Sequence, residues 1–417
     1  VRLPRPGPRR DLALALIFAG IAAVCRLPRL GVPAEEIFDE VYHAKAAWSY
    51  LHGESPVEWV HPPTSKILIA AGVYAFGYHS WSWRLAPALA GIALAPVFFF
   101  LARRVLETER AAVLATTLLL CDGVYFVQSR TAMTNIFAVL FQVGAALLVV
   151  GAGLRQRLPL GRMLAAGVVL GLALSTRWTS LWAATFVGCV FLVLRGRRLL
   201  SFRELSLAFL AFAVIPPCLY YLSYWVVPVL RPESLGRFLE TQKAIWHYHA
   251  TLNAQHTYFS KWYTWPFLYR PTWYYYRIVE EHIYGIVALG NPPLWWASVP
   301  VTFWALVTGA QRRDPRRLFS GFGFCALYLP WGLSPRTLNF SHYLFEALPY
   351  ACLSLGSLLD RGWDGRRAGL PSRAYVFTVI LAFVFFFPVL SALPIPVSSL
   401  LFENSGIRPW MWFRSWI

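Results

Sequence analysis

The sequence predicts an all-α polytopic membrane protein, and three observations predict it. Of the 417 residues 57% are hydrophobic and only 14% charged, whereas a soluble globular chain carries about 25% charge. Apolar runs long enough to cross a hydrocarbon core, roughly 20 residues for about 30 Å, recur along the whole chain. The arginines behind the net charge of +18 fall in short gaps between those runs. That is the positive-inside pattern of a membrane protein, not the single basic face that nucleic-acid binding requires.

The elements follow in order. Arg2 to Arg10 precede an apolar run with no small-residue cleavage site after Cys25, so the run reads as a first membrane anchor and not as a signal peptide. Further clusters lie at Arg103, Arg104 and Arg110, at Arg155 to Arg162, at Arg195 to Arg203, at Arg312 to Arg317 and at Arg361 to Arg373. Taken as cytoplasmic markers, they leave room for two crossings between neighbours. The predicted spans are 12–26, 83–102, 110–127, 132–153, 162–176, 178–194, 205–229, 284–309, 318–333, 340–358 and 374–396. That makes about eleven helices in one transmembrane domain over 1–417, with the N-terminus cytoplasmic and the C-terminus outside. The run KILIAAGVYAFG at 66–77 is short for a span and is expected to lie at the interface, as is the tail PWMWFRSW. The six cysteines stand singly, with no CxxC, and read as buried apolar thiols.

Two long external segments result, about 27–82 and 231–282, and they or the adjoining helix ends hold all nine histidines. No GxxxxGK[ST] sequence occurs, which argues against ATP-driven transport. In the first segment, Asp39 and Glu40 open a stretch with helical apolar spacing at Val41, Ala44, Ala47, Trp48 and Leu51, an amphipathic helix with acids at its N-terminus. HPPTSK sets His61 and Lys66 around a rigid proline pair. Arg130, in CDGVYFVQSRTAMTN, is isolated at an external membrane boundary, where a guanidinium needs an anion. A protein carboxylate and a phosphate are both open as its partner, and Arg177 and Arg336 present the same choice. In the second segment, aromatics around Trp265 accompany Lys261 and Arg270. They read as an interfacial belt or as a wall for a sugar or acceptor. His247, His249 and His256 have no carboxylate or cysteine paired with them, so no metal is indicated.

In order along the chain come FDE (Phe38 to Glu40), HPPxxK (His61 to Lys66), WRLAP (Trp83 to Pro87) and DGxxxxQSRxxM (Asp122 to Met133). They are followed by HTYFSKWYTWPFLYRPTWYYY (His256 to Tyr276), GNP (Gly290 to Pro292) and LPWGLSPRTLNFSHYL (Leu329 to Leu344). This ordered set resembles the dolichyl- and polyprenyl-phosphate-mannose protein mannosyltransferases, which have the GT-C architecture. The chain departs from the family at Thr134 and Asn135, where an acidic residue is common. About fifty residues of central loop also leave no room for the eukaryotic luminal domain, so the likeness is to the bacterial branch.

The resemblance implies Asp39 as catalytic base with Glu40 beside it. It implies Arg130 as the first candidate for the carrier phosphate, followed by Lys66, Arg336 and His342, and His61, Lys261, Arg270 and Trp265 as substrate contacts. The implied reaction is inverting transfer of mannose from a polyprenyl-phosphate carrier to Ser or Thr hydroxyls of secreted proteins, at the outer face of the plasma membrane. No cofactor is implied with certainty; a divalent metal is not indicated. A lipid or cell-wall glycan is the alternative acceptor. The rival of another class is a transporter or flippase of lipid-linked substrate, which would carry its ionisable residues near mid-membrane instead of at external ends.

Overall fold

The computed structural model describes residues 8–106, 108–153, 159–195, 201–254, 256–365, 367–399 and 409–417. Arg2, Arg5, Arg155, Arg157, Arg197, Arg198 and Arg366 of the predicted clusters lie outside them. Helix α1 (Pro8–Arg26) leads into the first external segment, which folds as α2 (Glu40–His52) and α3 (Thr64–Phe76) before the long α4 (Ser80–Val105). α3 packs between α2 and α4, its buried face formed by Ser65, Lys66, Ile69 and Val73.

The predicted span 110–127 is two helices, α5 (Glu109–Leu120) and α6 (Gly123–Gln128). The break belongs to Asp122. Its Oδ1 caps α6 through the amide of Tyr125 at 2.8 Å, and its Oδ2 accepts from the amide of Asn291 and the indole of Trp295. That buried carboxylate explains the spacing of both the DG and GNP motifs: each supplies one side of a helix-to-helix anchor. The chain continues through α7 (Asn135–Gly153), α8 (Leu160–Leu174), α9 (Ser180–Arg195), α10 (Phe202–Phe209) and α11 (Ile215–Val226). A π-helical turn over Leu210–Val214 joins α10 to α11 just before Pro216 and Pro217. Then come α12 (Leu235–Thr251), α13 (Pro292–Arg312), α14 (Pro315–Tyr328), α15 (Leu348–Arg361) and α16 (Leu370–Leu390).

By length and composition, three helical stretches are apolar enough to cross a membrane: Ser80–Val105, Phe202–Val226 and Leu370–Leu390. Four apolar helices are shorter, at Thr64–Phe76, Asn135–Gly151, Leu160–Leu174 and Ser180–Leu194.

Buried and half-buried ion pairs tie the arginine-rich helix ends together. Arg103 donates to Asp11 at 2.9 Å, joining α4 to α1, and Arg110 bridges Asp360 and Asp364, joining α5 to α15 and the turn after it.

The fold is not wholly helical. The predicted span 284–309 begins as a strand, because β1 (Thr272–Val279) and β2 (His282–Ala288) form an antiparallel hairpin and β3 (Pro394–Pro396) adds to β2. The β-branched residues of HIYGIVA suit a half-buried pleat, and a Cβ on Gly285 would lie 2.5 Å from the ring of Trp273, so only glycine fits beneath it. The tail also packs back on the fold at its end. Trp416 is fully buried, its indole donating to Leu268 O at 2.6 Å, and its own carbonyl accepts from Trp273 Nε1 at 2.6 Å. An indole needs a polar partner when buried; the tail supplies one to Trp273 of β1, and Leu268, just before β1, supplies one to the tail.

Candidate active site

A cavity of about 580 Å³ opens where the start of α2, the 57–61 turn, the start of α7 and the 336–343 segment converge with the end of α12. Asp39 stands at the N-cap of α2 but its side chain caps nothing and makes no hydrogen bond among the described residues. Burial raises its carboxyl above the ordinary value, a shift that Glu58 reinforces and that His43, Arg336 and Arg177 oppose. Such a carboxylate is partly desolvated and makes no hydrogen bond of its own, which is what a proton acceptor in a chamber needs.

Its neighbour Glu40 points the other way. Both carboxylate oxygens of Glu40 accept from Arg84, at 2.8 and 2.7 Å, and from the amides of Ala132 and Ile37 at 2.9 and 3.1 Å. The pair is fully buried, so Glu40 is not a second carboxylate at the chamber but a clamp beside Asp39, the orienting one of the roles expected for it. Removing one partner of such a pair costs about 3–5 kcal/mol. Arg84→Ala is therefore expected to lower the melting temperature in a detergent-solubilised thermal-shift assay, whereas Asp39→Asn is not.

The expected phosphate ligands divide. Arg130 is absent from the cavity wall. Its Nη1 donates to the carbonyls of Arg26 and Pro28, its Nη2 to that of Arg29 at 2.9 Å, and its guanidinium lies over Phe126. It holds the turn after α1, and the neighbouring Ser129 accepts from Arg26 at 2.8 Å in the same knot. Arg130→Ala is accordingly expected to reduce thermal stability while changing the donor KM by less than about threefold, since backbone carbonyls and not a ligand lose their partner.

Lys66 is also buried away from ligand, bound to the Glu58 carboxylate and, at 2.8 Å, to His61 O. Arg336 and His342, by contrast, both line the cavity. Of the expected substrate contacts, His61 does so as well. Lys261 and Trp265 do not, and Trp265 is fully buried with its indole on Ser260. Arg270 is spent on Thr257 O at 2.6 Å and Ser415 O at 3.2 Å.

The structure adds residues that the expected set lacks. Arg177 lies on the cavity wall over the ring of Tyr343, donating to Asn135 Oδ1 at 2.7 Å and lying 3.4 Å from Glu346. His249 bonds Val60 O through Nε2 and Arg336 through Nδ1, at 2.9 and 3.2 Å, so Nε2 donates and Nδ1 accepts. Burial lowers its pKa, with Arg336 and Arg177 acting in the same direction, and keeps it neutral.

Glu58 ties His61 to Lys66. Burial would raise its carboxyl, but Lys66 and then His61 hold it well below the usual range. Burial pushes His61 down to about 3 despite Glu58. His61 gives its Nδ1 proton to Glu58, and His43 gives its own to Ala132 O at 2.8 Å, so each keeps Nε2 as an acceptor. The signal for Glu58 was present in EWVHPPTSK, an acid three residues before His61 and eight before Lys66.

His43, Glu58 and His61 are the one group of metal-ligating side chains among the described residues, with ligand atoms within 4.8 Å of one another. Two imidazoles and a carboxylate suit a zinc-like ion. Such an ion would compete with Lys66 and His61 for the Glu58 carboxylate.

A second, mainly apolar groove of about 500 Å³ runs along Leu174, Trp178, Leu181, Trp182, Trp246 and Trp331. It meets the polar chamber at five shared residues, Val60, His61, Arg177, His249 and Arg336. One end is apolar, the other holds an unpaired carboxylate, and two guanidiniums sit at the junction. That arrangement suits an amphiphile whose anionic group lies between a hydrocarbon tail and a reacting polar head.

Comparisons with known proteins place the chain among mannosyltransferases of this fold. Family profiles described as dolichyl-phosphate-mannose-protein mannosyltransferase match residues 16–83 and 60–221. One described as the C-terminal four-TMM region of protein-O-mannosyltransferase matches 234–416. The polyprenol-phosphate-mannose–protein mannosyltransferase of Mycolicibacterium smegmatis is 29% identical, over 97% of this chain and 92% of its own length. Among solved structures, the S. cerevisiae Pmt1-Pmt2 complex bound to the sugar donor superposes with a TM-score of 0.79 at 14% identity, covering 92% of this chain and 90% of that one. ArnT from Cupriavidus metallidurans bound to undecaprenyl phosphate superposes with a TM-score of 0.57 at 19% identity, over 90% and 69%. At those identities the two structures speak for the fold.

Proposed function

The chain belongs to the dolichyl-phosphate-mannose protein mannosyltransferase family and moves mannose from a polyprenyl-phosphate carrier to protein; from that premise we propose that transfer occurs with inversion in the chamber around Asp39, on the extracytoplasmic side of the plasma membrane. One observation carries the reading: the apolar groove and the polar chamber meet at Arg177, His249 and Arg336. The carrier's isoprenoid chain lies in the groove, its phosphate at the junction and its sugar in the chamber. An acceptor Ser or Thr hydroxyl then attacks the anomeric carbon while Asp39 takes the hydroxyl proton, and the sugar–phosphate bond breaks with its electrons on the phosphate. The guanidiniums of Arg177 and Arg336 stabilise the charge that builds on that leaving oxygen. The donor set of His43, Glu58 and His61 is where a divalent ion would bind if one takes part; it would add Lewis-acid charge near the phosphate.

The pH dependence tests the base. A general base works as the carboxylate, and its ionised fraction falls as pH drops through its pKa. Because burial raises that pKa in the protein, the acid limb of kcat/KM is expected above the ordinary aspartate value of about 3.9. His61, held near 3, is neutral throughout and contributes no limb near 6.5. A profile whose acid limb follows a free aspartate, or a free histidine, would contradict Asp39 as the buried base. Competition by sugar-free polyprenyl phosphate tests the junction: its inhibition constant should rise in Arg336→Ala and hold in Asp39→Asn.

A further inference from the structure

The residue before Asp39 is held in an unusual state. Phe38 has φ of 47°, the left-handed region that a bulky L-residue rarely adopts and that persists only where surroundings over-determine it. Its ring stacks face to face on Tyr274, with centroids 4.3 Å apart and planes 4° apart, and meets His256, Phe340 and His342 edge-on at 6.1, 5.7 and 6.0 Å. Tyr274 comes from β1. In the hairpin Trp273 pairs with Val287 and Tyr275 with Ile286, so Tyr274 is the extra residue of a β-bulge. A bulge breaks the strand's alternation and re-aims one side chain. Here the re-aimed side chain is the one that meets Phe38, and its hydroxyl accepts from Gln128 Nε2 at 2.7 Å, fixing the ring from behind.

We propose that the bulged Tyr274 and the strained Phe38 are positioning residues for the transfer: the ring stack holds the backbone before Asp39 in its left-handed turn and so aims the Asp39 carboxylate into the chamber. Glu40 pins the other side of Asp39 through Arg84 and Ala132. Between the two, Asp39 is the member of the Phe38–Asp39–Glu40 triplet whose polar group faces the chamber unpaired. The inference rests on Asp39 being the base. It assigns a catalytic consequence to the sheet and to the aromatic run HTYFSKWYTWPFLYRPTWYYY, which supplies both His256 and Tyr274.

The test is steady-state transfer by purified full-length Tyr274→Leu, Phe38→Leu and the double variant, with rates normalised to folded protein by thermal melt and size exclusion. Leucine keeps apolar volume and removes the planar face. The single variants are expected to lose about tenfold to a hundredfold in kcat, the scale of an ångström of misplacement, with the donor KM within about twofold. The acid limb should move to lower pH, because a swung carboxylate is better solvated and its pKa falls. Tyr274→Phe, which keeps the ring, should restore most of the rate, and the double variant should lose little more than either single. Should Phe38→Leu fail to fold, Tyr274→Leu and Tyr274→Phe carry the comparison alone. Wild-type kcat in Tyr274→Leu overturns the proposal. So does a loss in which the donor KM rises in step while the acid limb stays put, since the rings would then only shape the wall. Full activity in Asp39→Asn is a separate outcome: it removes the base assignment itself.

Discussion

Asp39→Asn is expected to reduce kcat by about a thousandfold or more while leaving donor affinity within about threefold of wild type. General-base assistance contributes some 10²–10⁴-fold, and the chamber holds no obvious substitute. Glu40 is saturated by Arg84 and two backbone amides. Glu58 is committed to Lys66 and His61, and Glu346 accepts from Thr179 and Gln142 at 2.9 and 3.0 Å. The substitution is nearly isosteric and breaks no hydrogen bond of Asp39, so folding should survive it. Replacing an unpaired, half-buried carboxylate by a neutral amide should even raise the melting temperature slightly. The paired observation, lost turnover with retained carrier binding and unimpaired stability, is what separates a base from a structural acid.

Arg177→Ala is the second large effect. Arg177 is buried at the seam of groove and chamber, oriented by Asn135, Thr134 and Glu346 and backed by the Tyr343 ring. A guanidinium fixed this way is organised before the phosphate arrives. Removing one such electrostatic stabiliser from a water-poor site costs about 10²–10³ in kcat. The donor KM should rise as well, because the same charge meets the ground-state phosphate. Lysine should recover only part of the loss, since it cannot reproduce the planar fork. An unchanged kcat/KM in Arg177→Ala would move the leaving phosphate away from this junction. Asn135 orients Arg177 through a neutral amide oxygen, while the carboxylate near the guanidinium is that of Glu346.

Much of the helical framework was legible because arginine clusters and apolar runs record the membrane's demands directly. The hairpin was not. ALGNPPLWWASVPV continues the apolar run of HIYGIVA, and periodicity alone does not separate a short buried strand from the start of a helix. The partner that makes it a strand, Thr272–Val279, lies in the aromatic run that reads from sequence as an interfacial belt or a binding wall. The site divides for a related reason. Asp39, His61, Arg336 and His342 enter the expected site through the resemblance carried by FDE, HPPxxK and LPWGLSPRTLNFSHYL, and all four line the cavity. Arg130 and Lys66 show the limit. A lone cation in apolar sequence looks the same whether it awaits a phosphate or already caps three carbonyls more than a hundred residues away, as Arg130 does. Arg177 offered the same isolated charge and lies at the junction. Only the packing of α7, α8 and the 341–346 turn distinguishes the two.

The most direct test of the account is transfer of labelled mannose from polyprenyl-phosphate-mannose in membranes containing the wild type or Asp39→Asn, with protein and lipid fractions counted separately. The account predicts label in protein, released by β-elimination from Ser and Thr, and reduced to background in the variant. Label confined to lipid, or equal labelling of protein by wild type and variant, would contradict it.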